Sequence, residues 1–93
     1  MKAEVEVRMA IRVVVRTEGE ITGMEAAAIA QEVLRERFGV DLAVACDEVR
    51  GTYGPTVEYV CNVVGQIPEH EPLHFTVERE FNPEKLLEHY ASV

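Results

Sequence analysis

Ala3-Glu4-Val5-Glu6-Val7-Arg8-Met9-Ala10-Ile11-Arg12-Val13-Val14-Val15-Arg16 is the longest alternating run of the chain. Every odd position from Ala3 to Val15 is apolar and the even ones are mostly charged. That period belongs to a strand with one face in a core and the other in water. Read as one strand, residues 3–16 would extend ~46 Å, whereas a helix spanning residues 23–38 measures only ~24 Å. The strand must therefore bend near Met9-Ala10, or carry one end past the helix and pair with something else. As the first strand of a simple sheet it would also be an edge, with open amide and carbonyl groups that invite a second chain.

Downstream, Thr22-Gly23-Met24-Glu25 has the spacing of a capping box, in which the Thr22 hydroxyl accepts the Glu25 amide and the Glu25 carboxylate reaches back to the Thr22 amide. Met24, Ala27, Ala30, Val33, Leu34 and Phe38 then recur at helical spacing up to Gly39, which suits a left-handed cap, so a helix is predicted over 23–38. Val40, Leu42, Val44 and Cys46 alternate into a second strand. Gly51-Thr52-Tyr53-Gly54-Pro55 is turn chemistry, and Val57, Tyr59, Cys61 and Val63 form the third strand of a hairpin. After a connection through Gly65–Pro72, Leu73, Phe75, Val77 and Phe81 make a fourth strand. Asn82-Pro83 starts a short helix with Leu86, Leu87 and Tyr90 on its buried stripe.

The order β-α-β-β-β-α predicts an α+β fold: a two-layer sandwich with a four-stranded mixed sheet, order 1-2-3-4, and both helices on one face. A right-handed crossover would make the first two strands parallel. Helix, three strands and helix is also the element order of double-stranded RNA binding domains. Those need a basic last helix, and here it reads Glu84-Lys85-Leu86-Leu87-Glu88-His89, so the order carries no function.

The 93 residues allow one domain spanning 1–93, and 47% hydrophobic with 28% charged residues places it among folded rather than disordered chains. No apolar run approaches the ~20 residues of a membrane helix. Met1-Lys2-Ala3-Glu4 begins the polar alternation at once, unlike a secretory signal, so a cytoplasmic chain is expected. Seventeen acidic against nine basic side chains leave a net charge of −8, which disfavours direct binding of nucleic acid. The excess lies in the second half, where residues 51–93 offer only Arg79 and Lys85 as bases.

His70-Glu71-Pro72-Leu73-His74 spells the H-E-x-x-H of zinc peptidases. That chemistry needs both His on one helical turn, and Pro72 with a following strand forbids it, since strand positions four apart lie ~13 Å from each other. Cys46 and Cys61 should face each other on the core side of the hairpin if residues summing to 107 pair, as Val44 with Val63 and Glu48 with Tyr59. Buried reduced thiols are the expectation, with no C-x-x-C spacing for a metal. A single Ser, at position 92, leaves little for nucleophilic catalysis. No catalytic residue, cofactor or metal ligand is assigned.

Two surfaces stand out. Glu69, Glu71, Glu78, Glu80, Glu84 and Glu88 form an acid-rich run suited to a basic protein surface. Ala10, Val14, Ala43, Ala45, Val60 and Val64 place small apolar side chains on the sheet face that no helix covers, a surface for self-association into a homodimer. The expected function is a non-enzymatic acidic interaction module, a regulator or inhibitor of a basic, nucleic-acid-binding protein. The alternative is a small-molecule-binding protein or small enzyme subunit, with its ligand on the open sheet face near Tyr53, His74 and Asn62.

Overall fold

A computed structural model of the chain describes residues 1–8, 12–52, 54–64 and 74–90. Its elements are β1 (Lys2–Arg8), β2 (Arg12–Glu18), α1 (Gly23–Phe38), β3 (Ala43–Gly51), β4 (Thr56–Val64), β5 (Phe75–Glu80) and α2 (Pro83–Leu87). Among the described residues the sheet has five strands in the order β3-β4-β2-β1-β5, and every neighbouring pair is antiparallel. This overturns the four-stranded mixed sheet in order 1-2-3-4. The long first alternation is two strands, not one, and neither is an edge: β2 pairs with β4 and β1 with β5. Among the described residues the edges are β3 and β5. β2 and β3 run the same way, but β4 lies between them instead of their pairing in parallel.

The hairpin leaves no trace in the alternation for a geometric reason. β1 and β2 pair Val5 with Val15, Val7 with Val13 and Arg8 with Arg12. Odd therefore faces odd across the pair, and the apolar set stays on one face through the reversal. Met9, Ala10 and Ile11, between the two strands, lie outside the described residues, and none of them is a turn-forming Gly, Pro, Asn or Asp.

α1 spans the predicted residues. Thr22 and Glu25 complete the capping box, with Glu25 N–H donating to Thr22 Oγ1 at 3.1 Å and Thr22 N–H to Glu25 Oε1 at 2.8 Å. Gly39, at φ +73°, closes the helix through its N–H to the Arg35 carbonyl, a conformation that costs an L residue about 1–2 kcal/mol. α1 packs chiefly against β3 and also against β2, β4 and α2. It buries Ala26, Ala27, Ile29, Ala30, Val33 and Leu34 against Val5, Val7, Val13, Val15, Val44, Tyr59 and Cys61. Ala26, Ala27 and Ala30 place no more than a methyl group each between the helix and the sheet. Met24, expected on the buried stripe, is instead 60% exposed.

Two polar side chains are tied off inside this layer. The Tyr59 hydroxyl accepts the Ile21 N–H at 2.7 Å and donates to the Ile21 carbonyl at 3.0 Å, fixing the chain as it enters α1. Gln31 donates to the Leu42 carbonyl at 2.8 Å and so ties α1 to the start of β3. Each bond spares a buried group the cost of an unmet partner.

Candidate functional site

The face of the sheet turned away from α1 is built from the even positions of β1, β2, β4 and β5. The cross-strand register lines them up in rows. One row reads Arg50, Glu58, Arg16, Glu4 and Glu78 across β3, β4, β2, β1 and β5, and the next reads Glu48, Val60, Val14, Glu6 and Thr76. Arg16, on the central strand, holds three carboxylates at once: Nε donates to Glu58 at 2.7 Å, Nη1 to Glu4 at 2.7 Å and Nη2 to Glu6 at 2.8 Å. Partial burial opposes the charge on Arg16, but the bonds from Glu6, Glu58 and Glu4 outweigh it and its pKa is raised. Glu6 also accepts from Arg8 and meets His74 Nε2 at 2.8 Å. Hydrogen bonds from Arg8, Arg16 and His74 together lower its pKa to about 2. Such a carboxylate is locked as an anion at neutral pH and has no proton to give or take.

At one end of this face Lys2, Ala3, Glu4, Arg16, Thr17, Glu18, Thr56 and Glu78 line an open groove of about 320 Å³. Its charged side chains are three carboxylates and two cations, and both cations are already engaged, Arg16 as above and Lys2 by Glu78 at 2.9 Å. Three carboxylates against two cations leave the lining with one negative charge in excess. A basic side chain entering here meets Glu18 and Glu78, which are both solvent-exposed.

The acid-rich run predicted from sequence is divided by the fold. Glu78 and Glu80 lie on the outer face of β5, where Glu80 is held by the terminal amino group of Met1 at 3.2 Å. Glu84 and Glu88 belong to the α2 segment in the helix layer, and Glu69 and Glu71 lie outside the described residues. The structure instead joins Glu78 to Glu4, Glu18 and Glu58 of β1, β2 and β4. Those residues were visible only as the polar half of an alternation, and the signal that could have found them was Arg16 among them.

The apolar set divides as well. Val14 and Val60 are cross-strand partners on the outer face, but both are buried within the chain, at 3% and 6% exposure, so they are not offered to another molecule. Ala43, Ala45 and Val64 remain together at the β3–β4 side, with Val64 exposed, and Ala10 lies outside the described residues. Asn62 and His74 share the outer face near Arg12 and Arg8, with strands β2 and β1 between them, while Tyr53 lies outside the described residues.

Cys46 and Cys61 face each other as the hairpin register predicts, but only Cys61 is buried and Cys46 is half-buried, which corrects the expectation of two buried thiols. A bulge between Cys46 and Glu48 then shifts the pairing, so that Tyr59 faces Val49 rather than Glu48. Burial pushes both thiols above their usual pKa, the reverse of an activated nucleophile. Of the H-E-x-x-H letters only His74 is described, and it is spent on Glu6. Among the described residues no three His, Cys, Asp or Glu side chains converge as a metal site requires.

The chain matches no protein-family model, no curated protein and no solved structure. Among the described residues no helix is long and apolar enough to cross a membrane.

Proposed function

We propose that this chain is a non-enzymatic interaction module, a regulator or inhibitor acting in the cytoplasm, whose acidic groove takes a basic surface of a protein partner of the kind that otherwise binds nucleic acid. The observation that carries the reading is the Arg16 hub. It pins Glu4, Glu6 and Glu58 into a fixed array and leaves Glu18 and Glu78 on the rim to meet an incoming cation. A prearranged set of carboxylates loses little side-chain entropy on binding. It also attracts a basic partner over a distance set by the ionic strength. The same arrangement argues against acid–base catalysis, because the best-buried carboxylate of the face is held far below neutral pH.

The test uses a fluorescein-labelled nona-arginine peptide as a minimal basic surface, with binding followed by anisotropy. The expected result is saturable binding that weakens steeply between roughly 50 and 500 mM salt, and a loss of at least tenfold in affinity for the double variant Glu18→Lys/Glu78→Lys. Equal binding by wild type and variant would reject the groove as the contact.

A further inference from the structure

Among the described residues β5 ends the sheet on one side and is unlike the other edge. On β3 the bulge after Cys46 and the exposed run Asp47, Glu48, Val49 and Arg50 spoil the edge for continuous pairing. β5 pairs with β1 in unbroken register from Lys2–Glu80 to Val7–Phe75. Its inward side chains Phe75 and Val77 are only partly buried, because α1 sits over the β3 side of the sheet.

The backbone groups that β5 offers outward can be identified. Phe81 donates its N–H to the Met1 carbonyl at 2.7 Å, and the Met1 amino group donates to the Phe81 carbonyl at 2.6 Å, so these two residues are a mutually bonded pair. An antiparallel ladder alternates from such a pair. Arg79, Val77 and Phe75 therefore turn their N–H and C=O toward β1, and Glu80, Glu78 and Thr76 turn theirs to the open edge.

We propose that this edge binds a second copy of the chain by antiparallel β5–β5 pairing, making a continuous ten-stranded sheet with both helix layers on one side. The strand is complementary to itself. With both helix layers on one side, inward residues must face inward residues, and Val77 on the two-fold axis satisfies this. Val77 then faces Val77 of the second copy, Thr76 faces Glu78, Phe75 faces Arg79 and His74 faces Glu80. Each facing pair is apolar, hydroxyl with carboxylate, ring with guanidinium, or imidazole with carboxylate, and none sets like charges opposite each other. The outward amides and carbonyls of Thr76 and Glu78 meet at the positions where an antiparallel pair exchanges bonds. Moving the axis to Glu78 sets that carboxylate against itself, and moving it to Arg79 does the same for the guanidinium. Moving it to Thr76 leaves Arg79 and Glu80 facing positions 73 and 72, beyond β5. The contact is isologous, as a two-fold dimer requires. It rests on the backbone edge of β5, and Glu78 serves in both readings, as a rim carboxylate of the groove and as the residue facing Thr76 across the pairing; Thr76→Pro leaves every groove carboxylate in place and so separates the two.

Sedimentation equilibrium of the purified chain from about 5 µM to 1 mM, with amide exchange followed by NMR over the same range, tests this. The expected result is a species of twice 10.4 kDa in which the amides of Thr76 and Glu78 exchange at least tenfold more slowly than in the dilute sample. The amides of Val77 and Arg79, already bonded to β1, should be protected throughout. Thr76→Pro removes only an outward N–H and is tolerated on an edge strand. It should raise the dimer Kd at least tenfold with an unchanged circular dichroism spectrum. A 10.4 kDa monomer at 1 mM would overturn the proposal, and so would a dimer whose Thr76 and Glu78 amides exchange as fast as in the monomer.

Discussion

On the helix side, β1 and β2 present Ala3, Val5, Val7, Val13 and Val15, all almost wholly removed from water and packed into the apolar cluster. On the opposite side the same two strands present Glu4, Glu6, Arg8 and Arg16, tied by directed bonds to one another, to β4 and to His74. The first face is held by burial, which is non-directional and indifferent to pH. The second is held by charge pairs whose strength depends on proton and salt concentration. A single alternating sequence has thus produced two surfaces that should respond differently to the same perturbation. Only the second carries charged side chains.

The largest effect should come from the inner face. Leu34 is fully buried on α1, and Leu34→Ala should cost about 3 kcal/mol, by lost transfer energy plus a cavity. Urea unfolding should show that loss nearly unchanged between pH 7 and pH 4, because the cluster of described residues that holds Leu34 contains no carboxylate or imidazole. A loss that shrank with pH would mean the two faces are coupled after all.

Arg16→Met probes the outer face. It leaves Glu4, Glu6 and Glu58 without their shared cation, and with Arg16 about a fifth exposed the cost at pH 7 should be about 2 kcal/mol. Here the pH dependence should be strong. Glu6 is depressed to about 2 in the fold, so its contribution is fully present above the unfolded value near 4.5 and is lost as pH falls toward 2. Wild type should therefore weaken over that window. The gap to the variant should narrow there, since the variant has less of this stabilisation to lose. A constant gap from pH 7 to pH 3 would show that Arg16 acts by packing its methylenes rather than by its charge.

The same contrast explains what could be read from the residues and what could not. Which side chains go inward was legible, because alternation and helical spacing report burial directly. Hence α1, its capping box and the facing of Cys46 with Cys61 all follow from local pattern. Strand order was not legible. The pairing of β1 with β2 preserves parity, so Val7 and Val13 look like members of one strand, and Arg8–Arg12 contains no turn-forming residue to interrupt the reading. The site failed with it. Glu4 and Glu58 are far apart in sequence and meet on Arg16 only because β2 sits between β1 and β4. The run at Glu84 and Glu88 was close in sequence to Glu78 and Glu80 but entered another layer.

The smallest effect should be at the rim. Glu18 and Glu78 are exposed, and the ion pair that reversal removes among the described residues, Glu78 with Lys2, joins side chains that are both more than half in solvent. Exposed pairs of this kind contribute little, and surface substitutions usually remain within ~0.5 kcal/mol each. Reversal to Lys even offsets part of a net charge of −8, which works against any repulsion that the two introduced ammonium groups bring beside Lys2 and Arg16. The double variant Glu18→Lys/Glu78→Lys should accordingly unfold in urea within about 1 kcal/mol of wild type. That near-silence makes it informative: lost binding of a basic peptide by a variant of unchanged stability must come from the rim charges. If the variant instead lost as much stability as Arg16→Met, the rim would belong to the scaffold, and the division between a structural hub and a binding edge on this face would fail.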